Sequence, residues 1–195
     1  VIIPTIPPRR RQLERAVNSV RAQDYQGKVE ILIALDADKL GSAKTRNRAL
    51  ARADTPWVAF LDDDDYLLPQ HLRVLMDAAY NPENHQPDII YPGCTVLGPN
   101  GVEIPRQEEW GRYTRPFEPG LFRAESYVPV TSLVLRKVAQ KAWFGPPDHD
   151  PTSKYDDWGF YLRALDAGAI FHHHVEVTWI WIHDGANTSG EVTRW

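Results

Sequence analysis

Trp57-Val58-Ala59-Phe60-Leu61-Asp62-Asp63-Asp64-Asp65 runs from apolar residues straight into consecutive carboxylates. An unbroken apolar run this short reads as a strand buried on both faces. The acids then stand at its C-terminal end. Adjacent uncompensated carboxylates repel and raise one another's pKa values, so solvent, basic side chains or a divalent cation must stand among them. Tyr66-Leu67-Leu68 leads on to Pro69, a residue suited to the first turn of a helix. In open α/β sheets ligands bind beyond the carboxyl ends of the strands. The acid run is therefore where the chemistry is expected.

Upstream, Val1-Ile2-Ile3 reads as a strand ended by Pro4-Thr5, and Leu13, Ala16, Val17 and Val20 predict a helix over Arg11 to Ala22. Val29 to Leu35 is a second β-branched apolar run, closed by Asp36-Ala37-Asp38. Ser42 is placed to cap a helix through Ala53. The order is β-α-β-α-β with apolar rather than alternating strands, which predicts a mostly parallel central sheet with helices on both faces. Thr5, Asp36 and the Asp62–Asp65 run are then expected at one edge.

Downstream, Leu72, Leu75, Met76 and Ala79 predict a further helix, and Ile89-Ile90-Tyr91 a strand. Gly93 to Gly120 reads as a hairpin and loops. Thr131 to Leu135 reads as a strand and Lys137 to Trp143 as a helix. Gly145 to Lys154 reads as a surface loop able to move. Trp158, Tyr161, Leu162 and Leu165 form a helical stripe preceded by Asp156-Asp157, and Ile170 to Ile182 holds one or two strands. With no repeat, low-complexity tract or linker, the expectation is one α/β domain over residues 1–195.

The bulk composition narrows the function classes. The chain has 195 residues, 43% of them hydrophobic and 25% charged, with a formal charge of −4. That suits a globular fold with a real core and disfavours a nucleic-acid surface. The one cysteine, Cys94, rules out an internal disulfide framework and suits a reducing, cytoplasmic setting. No apolar run reaches the ~20 residues of a membrane-spanning helix. There is no signal-like segment, and the chain starts inside a strand, as a trimmed or processed chain would.

Each candidate group has a plain structural alternative. An acidic pair ahead of a helix is commonly dipole compensation. Four acids after a βαβαβ unit point instead to Mg²⁺ or Mn²⁺ shared with substrate phosphates. Arg46, near the start of a helix opening on the ligand edge, is placed for a phosphate or base contact. Arg9, Arg10 and Arg11 follow the first strand and could meet a diphosphate, with at least two of them expected in solvent. Asp157, at a helix start, is either a cap or a base for an acceptor hydroxyl, and Trp158 is either a sugar platform or core. On a strand His172 and His174 face one way and His173 the other, so the three do not converge. His183, where a strand gives way to a polar Gly/Asn/Ser tail, is positioned to reach a metal. Trp110, Tyr113 and Trp143 could stack on a sugar, although burial is the commoner fate of such side chains. No G-x-G-x-x-G, P-loop or G-x-S-x-G motif occurs.

Together these residues resemble the GT-A family 2 glycosyltransferases. The likeness is carried by Val1-Ile2-Ile3-Pro4-Thr5, Asp36, Thr45-Arg46-Asn47, Phe60-Leu61 with Asp62–Asp65 through Pro69, Ser132 to Arg136, and Asp156-Asp157-Trp158 with Leu162-Arg163. It implies a single GT-A (Rossmann-like) domain, with residues 1–93 binding a nucleotide-sugar donor and 94–195 the acceptor. It implies donor contacts from Thr5, Asp36, Arg46, Asp62 and Asp63, a metal held by Asp64 and His183, and Asp157 as the base of an inverting transfer. The donor expected is a UDP-sugar with Mn²⁺ or Mg²⁺, and the acceptor a saccharide, lipid-linked or protein hydroxyl. The chain departs from the family pattern in having Asp156 where Glu is usual. Leu35-Asp36-Ala37-Asp38 stands in place of the commoner Asp-Asp-Gly-Ser, which leaves both Asp36 and Asp38 as candidates for the base contact. The chain is also short for the family. Two rivals are a sugar-nucleotide pyrophosphorylase, whose Gly- and Arg-rich loop is missing, and a non-catalytic nucleotide- or carbohydrate-binding module.

Overall fold

The computed structural model describes residues 1–98, 100–104, 115–145 and 156–183. Its elements run β1 (Ile2–Thr5), α1 (Arg10–Arg21), β2 (Leu32–Leu35), α2 (Ser42–Leu50), β3 (Trp57–Ala59), β4 (Tyr66–Leu67) and α3 (His71–Tyr80). They continue with β5 (Ile89–Leu97), α4 (Pro119–Ala124), β6 (Leu133–Leu135), α5 (Arg136–Ala142), α6 (Asp156–Asp166) and β7 (Phe171–Ile182). Trp110, Tyr113, Tyr155, the loop expected up to Lys154 beyond Gly145, and the tail after His183 lie outside the described residues.

Apolar side chains alternate across the sheet and are buried on both sides. Ile2, Val58, Phe60, Ile89, Tyr91 and Val134 join one cluster with Leu50 of α2, Ala139 of α5 and Phe160 of α6. Ile3 and Leu61 face the other way onto Val17 and Val20 of α1. Ala59, Ile90 and Leu133 meet Leu72, Leu75 and Ala79 of α3. A period of two with both faces covered is what turns these strands into unbroken apolar runs. The expected α/β layering is present.

Pairing is mixed. β1 and β2 run parallel from Ile2↔Leu32 to Thr5↔Leu35, and Ile2 forms a parallel bridge to Phe60. Beyond that bridge lies a sheet of order β3-β6-β5-β7-β4. There β6 lies antiparallel between β3 and β5, β5 and β7 are parallel, and β4 closes the edge antiparallel to β7. The parallel half carries the edge where Thr5, Asp36 and Asp63 meet.

Several boundaries differ from expectation for local reasons. β5 extends through Pro92-Gly93, where its register with β7 shifts instead of ending; a bulge is where a strand tolerates these residues. The expected hairpin follows, with Leu97 bridging Glu103. Ser42 is the first residue of α2 and not its cap. Gly41, at φ 88°, precedes it with no side-chain cap, and the helix ends at Leu50. That φ belongs to the left-handed region, where glycine is the unstrained choice. β4, only two residues long, is too short to leave a periodic signal.

Candidate functional site

The site starts from the end of β1. Asp36 N–H donates to Thr5 O at 2.8 Å, which fixes the end of β2 beside that of β1. The Asp36 carboxylate is buried and accepts Leu40 N–H and Gly41 N–H, each at 2.8 Å. It thereby folds the loop that opens α2. Asp38, the other candidate, is exposed and only 3.9 Å from Arg48. Asp36 is the one built into the edge.

Past β3 the four aspartates alternate: Asp63 and Asp65 are buried, whereas Asp62 and Asp64 are partly exposed. Asp63 points inward, accepting from Thr5 Oγ1 at 2.6 Å and from Arg9 Nη1 at 2.8 Å. The same Arg9 nitrogen reaches Asp64 Oδ2 at 2.9 Å, and Arg15 donates to the Asp64 carbonyl. Arg46 Nη2 meets Asp62 Oδ1 at 2.5 Å, and its guanidinium lies 5.4 Å from the centre of the Phe144 ring. Phe144 is itself fixed, since Asn47 both donates to its carbonyl at 2.7 Å and accepts its N–H at 2.9 Å. Asp65 accepts Ile182 N–H at 2.9 Å and so ties the acid run to the end of β7.

Oxygens of Asp62, Asp64 and Asp65 lie within 4.8 Å of one another, the single such group of metal-ligand side chains among the described residues. An all-oxygen donor set of this kind fits a hard divalent cation. The charges fit as well. Burial first, then Asp62, push the Asp64 carboxyl up to about 6, against the pull of Arg9. Burial also raises the Asp65 carboxyl well above its usual value, with Asp62 and Asp64 adding to it. Carboxylates crowded in this way gain from a cation between them.

Asp157 lies on the first turn of α6 and accepts Trp158 N–H at 2.9 Å. Burial raises its carboxyl above the usual range, Arg46 pulls it back, and Asp62 pushes it up. Asp157 is therefore within electrostatic reach of the Arg46–Asp62 pair. Trp158 is held in the core side of the helix, its indole N–H donating to Phe122 O at 2.9 Å.

His183 follows Ile182 directly. Its N–H donates to Leu97 O at 2.8 Å, its ring lies 5.3 Å from that of Trp181, and it stands outside the three-carboxylate group. In the histidine run, His173 packs on Tyr91 at 5.1 Å while the His172 and His174 rings are 6.4 Å apart. The two sides expected of a strand are what is seen. Sequence reasoning missed Arg9 and Arg15 as partners of the acid run. The available signal was that Arg9 follows β1, whose C-terminal end opens on the same edge.

Comparison with known proteins agrees with the geometry. The pattern of glycosyl transferase family 2 matches residues 35–143, more than half of the chain, and the protein belongs to that family. It is 25% identical over 127 residues to the uncharacterized glycosyltransferase YwdF of Bacillus subtilis (strain 168), a stretch covering 64% of this chain and 44% of that protein. Its fold matches the crystal structure of S. aureus TarS 1-349 with a TM-score of 0.65 and 18% identity, over 93% of this chain and 59% of that one. The same TarS segment in complex with UDP-GlcNAc matches with a TM-score of 0.68 and 17% identity, over 96% of this chain and 59% of that one. The fold is the GT-A glycosyltransferase fold. The chain spans less than half of the curated relative and about three fifths of these solved segments. Among the described residues no helix is long and apolar enough to cross a membrane.

Proposed function

We propose that the protein transfers a sugar from a nucleotide-diphosphate donor to an acceptor hydroxyl by a single displacement with inversion. The observation that carries this reading is the meeting of the Asp62, Asp64 and Asp65 carboxylates with Arg46 and Asp157 at one sheet edge. Residues 1–93 form the donor half. Thr5, Asp36, Arg46, Asp62 and Asp63 line it, with Asp36 facing the base. Residues 94–195 receive the acceptor. A UDP-sugar is the favoured donor, in keeping with the UDP-GlcNAc and UDP complexes of the structurally similar TarS.

Asp64, in the group it forms with Asp62 and Asp65, would hold Mn²⁺ or Mg²⁺, with His183 proposed to complete the shell from outside that group, and the ion would supply positive charge against the diphosphate. Arg46 donates to the leaving oxygens, an electrostatic contribution worth roughly 3 kcal/mol for one well-placed donor. The acceptor oxygen bonds to the anomeric carbon as that carbon's bond to the phosphate oxygen breaks. Asp157 takes the hydroxyl proton, and the nucleoside diphosphate leaves. A carboxyl raised by burial accepts that proton more readily, while Arg46 keeps it ionised beforehand.

A panel of nucleotide sugars incubated with the protein and Mn²⁺, read by nucleoside diphosphate release, tests this. Release that depends on Mn²⁺ and is greatest for a UDP-sugar is the expected result. Turnover that requires pyrophosphate or a nucleoside triphosphate would identify a pyrophosphorylase. Binding without release would identify a non-catalytic module.

A further inference from the structure

Each acid of the Asp62–Asp65 run already has a partner, and the partners differ in how firmly they are held. Asp65 is bonded to the backbone of β7. Asp62 is paired with Arg46, whose side chain is only 7% exposed and lies by Phe144. Asp64 is paired with Arg9, whose side chain is 35% exposed and rises from a single 3-10 turn, Pro7–Arg9, between β1 and α1. A cation entering among Asp62, Asp64 and Asp65 must compete for charge that Arg9 and Arg46 now neutralise. Of these two, Arg9 is the one with room to move. Its second contact, Asp63 Oδ1 at 2.8 Å, belongs to a carboxylate that Thr5 also holds and that lies outside the three-carboxylate group.

We propose that Arg9 is an exchange residue: it neutralises Asp64 whenever no cation is bound, yields that carboxylate to the divalent cation, and turns to the donor's diphosphate while Asp63 keeps its base in place. This rests on the donor-site reading above. A guanidinium has five donors in a planar fork, so it can keep a carboxylate on one side and take a phosphate oxygen on another. The exchange gives metal and nucleotide a reason to bind together. Metal alone displaces a cation and gains little, whereas metal with a diphosphate gives the displaced Arg9 a new anion.

The test uses Mn²⁺ alone as the first probe, followed by the electron paramagnetic resonance of the free ion, and then UDP at saturating Mn²⁺ followed by calorimetry. In Arg9→Gln, Mn²⁺ alone should bind tighter by about threefold or more, since a competing contact charge is gone. UDP with Mn²⁺ should bind weaker by about threefold or more. Arg11→Gln, an exposed change two residues away, should move neither. An unchanged or weaker Mn²⁺ affinity in Arg9→Gln overturns the proposal. If that variant is unfolded, Arg9→Lys decides: it keeps the charge but loses the fork, so UDP affinity should fall and unchanged UDP affinity overturns the proposal. Wild-type protein that binds Mn²⁺ but no nucleotide sinks the donor-site reading itself, a result distinct from failure of the exchange.

Discussion

The Asp62–Asp65 run and Asp157 share the influence of Arg46 but differ in what else holds their charges. The run follows a strand, where the backbone offers no concentrated positive field, and it depends on long-range partners: Arg9, Arg46 and the Ile182 N–H. Asp157 stands on the first turn of α6 and has its nearest hydrogen-bond donor, Trp158 N–H, in the adjoining residue; the helix terminus itself favours its ionised form. Groups of the first kind make a site that gathers charge from elsewhere. Asp157 adds a contact within its own helix to the pull of Arg46, so part of its surroundings stays in place when that guanidinium is rearranged.

The comparison breaks most readily at Asp157. Asp157→Asn should lose transfer by about 10²–10⁴-fold while UDP–Mn²⁺ affinity measured by calorimetry stays near wild type. Near-normal turnover would remove Asp157 from the chemistry and leave it a helix residue. Asp65 probes the opposite prediction, that part of the run is architecture. Asp65→Ala leaves Ile182 N–H without its acceptor and should cost about 1–3 kcal/mol in urea unfolding. Unchanged stability with lost metal binding would move Asp65 from scaffold to ligand.

A third measurement separates protonation of the site from protonation of the core. His71, fully buried with Nδ1 2.8 Å from Thr178 Oγ1, has its pKa lowered by burial to about 3. The unfolded chain takes up that proton near 6.5, so the folded state forgoes a proton that the unfolded state binds. Stability is therefore full above about 6.5 and falls as pH drops toward 3, by at most about 1.4 kcal/mol per pH unit. His71→Gln should flatten that acid limb in thermal melts. A limb that persists unchanged assigns the acid sensitivity to other groups.

How much of this was legible in the sequence follows from range. Runs such as Ile2-Ile3 and Val58 to Leu61 carry the period-two burial of the sheet within themselves, so the βαβαβ half could be read directly. Asp63, Asp64 and Arg46 stood out because strand ends collect ligand groups. β4 did not, since two residues hold no period. The Arg9–Asp64 and Asp65–Ile182 contacts span 55 and 117 residues, and no local pattern encodes which distant partner a charge will find. Arg10 and Arg11, exposed as expected of most of that basic cluster, show how little the residue type alone decides.

The Asp65–Ile182 hydrogen bond also sets an order of assembly during synthesis. A ribosome releases the acid run long before it releases residue 182, so for most of translation Asp65 lacks the amide it is built to meet. Until β7 docks, that carboxylate stays in water, and the edge around it stays open. The half that carries the acid run is made first and completed last. The edge that carries the acid run is complete only when the final described strand closes against β5.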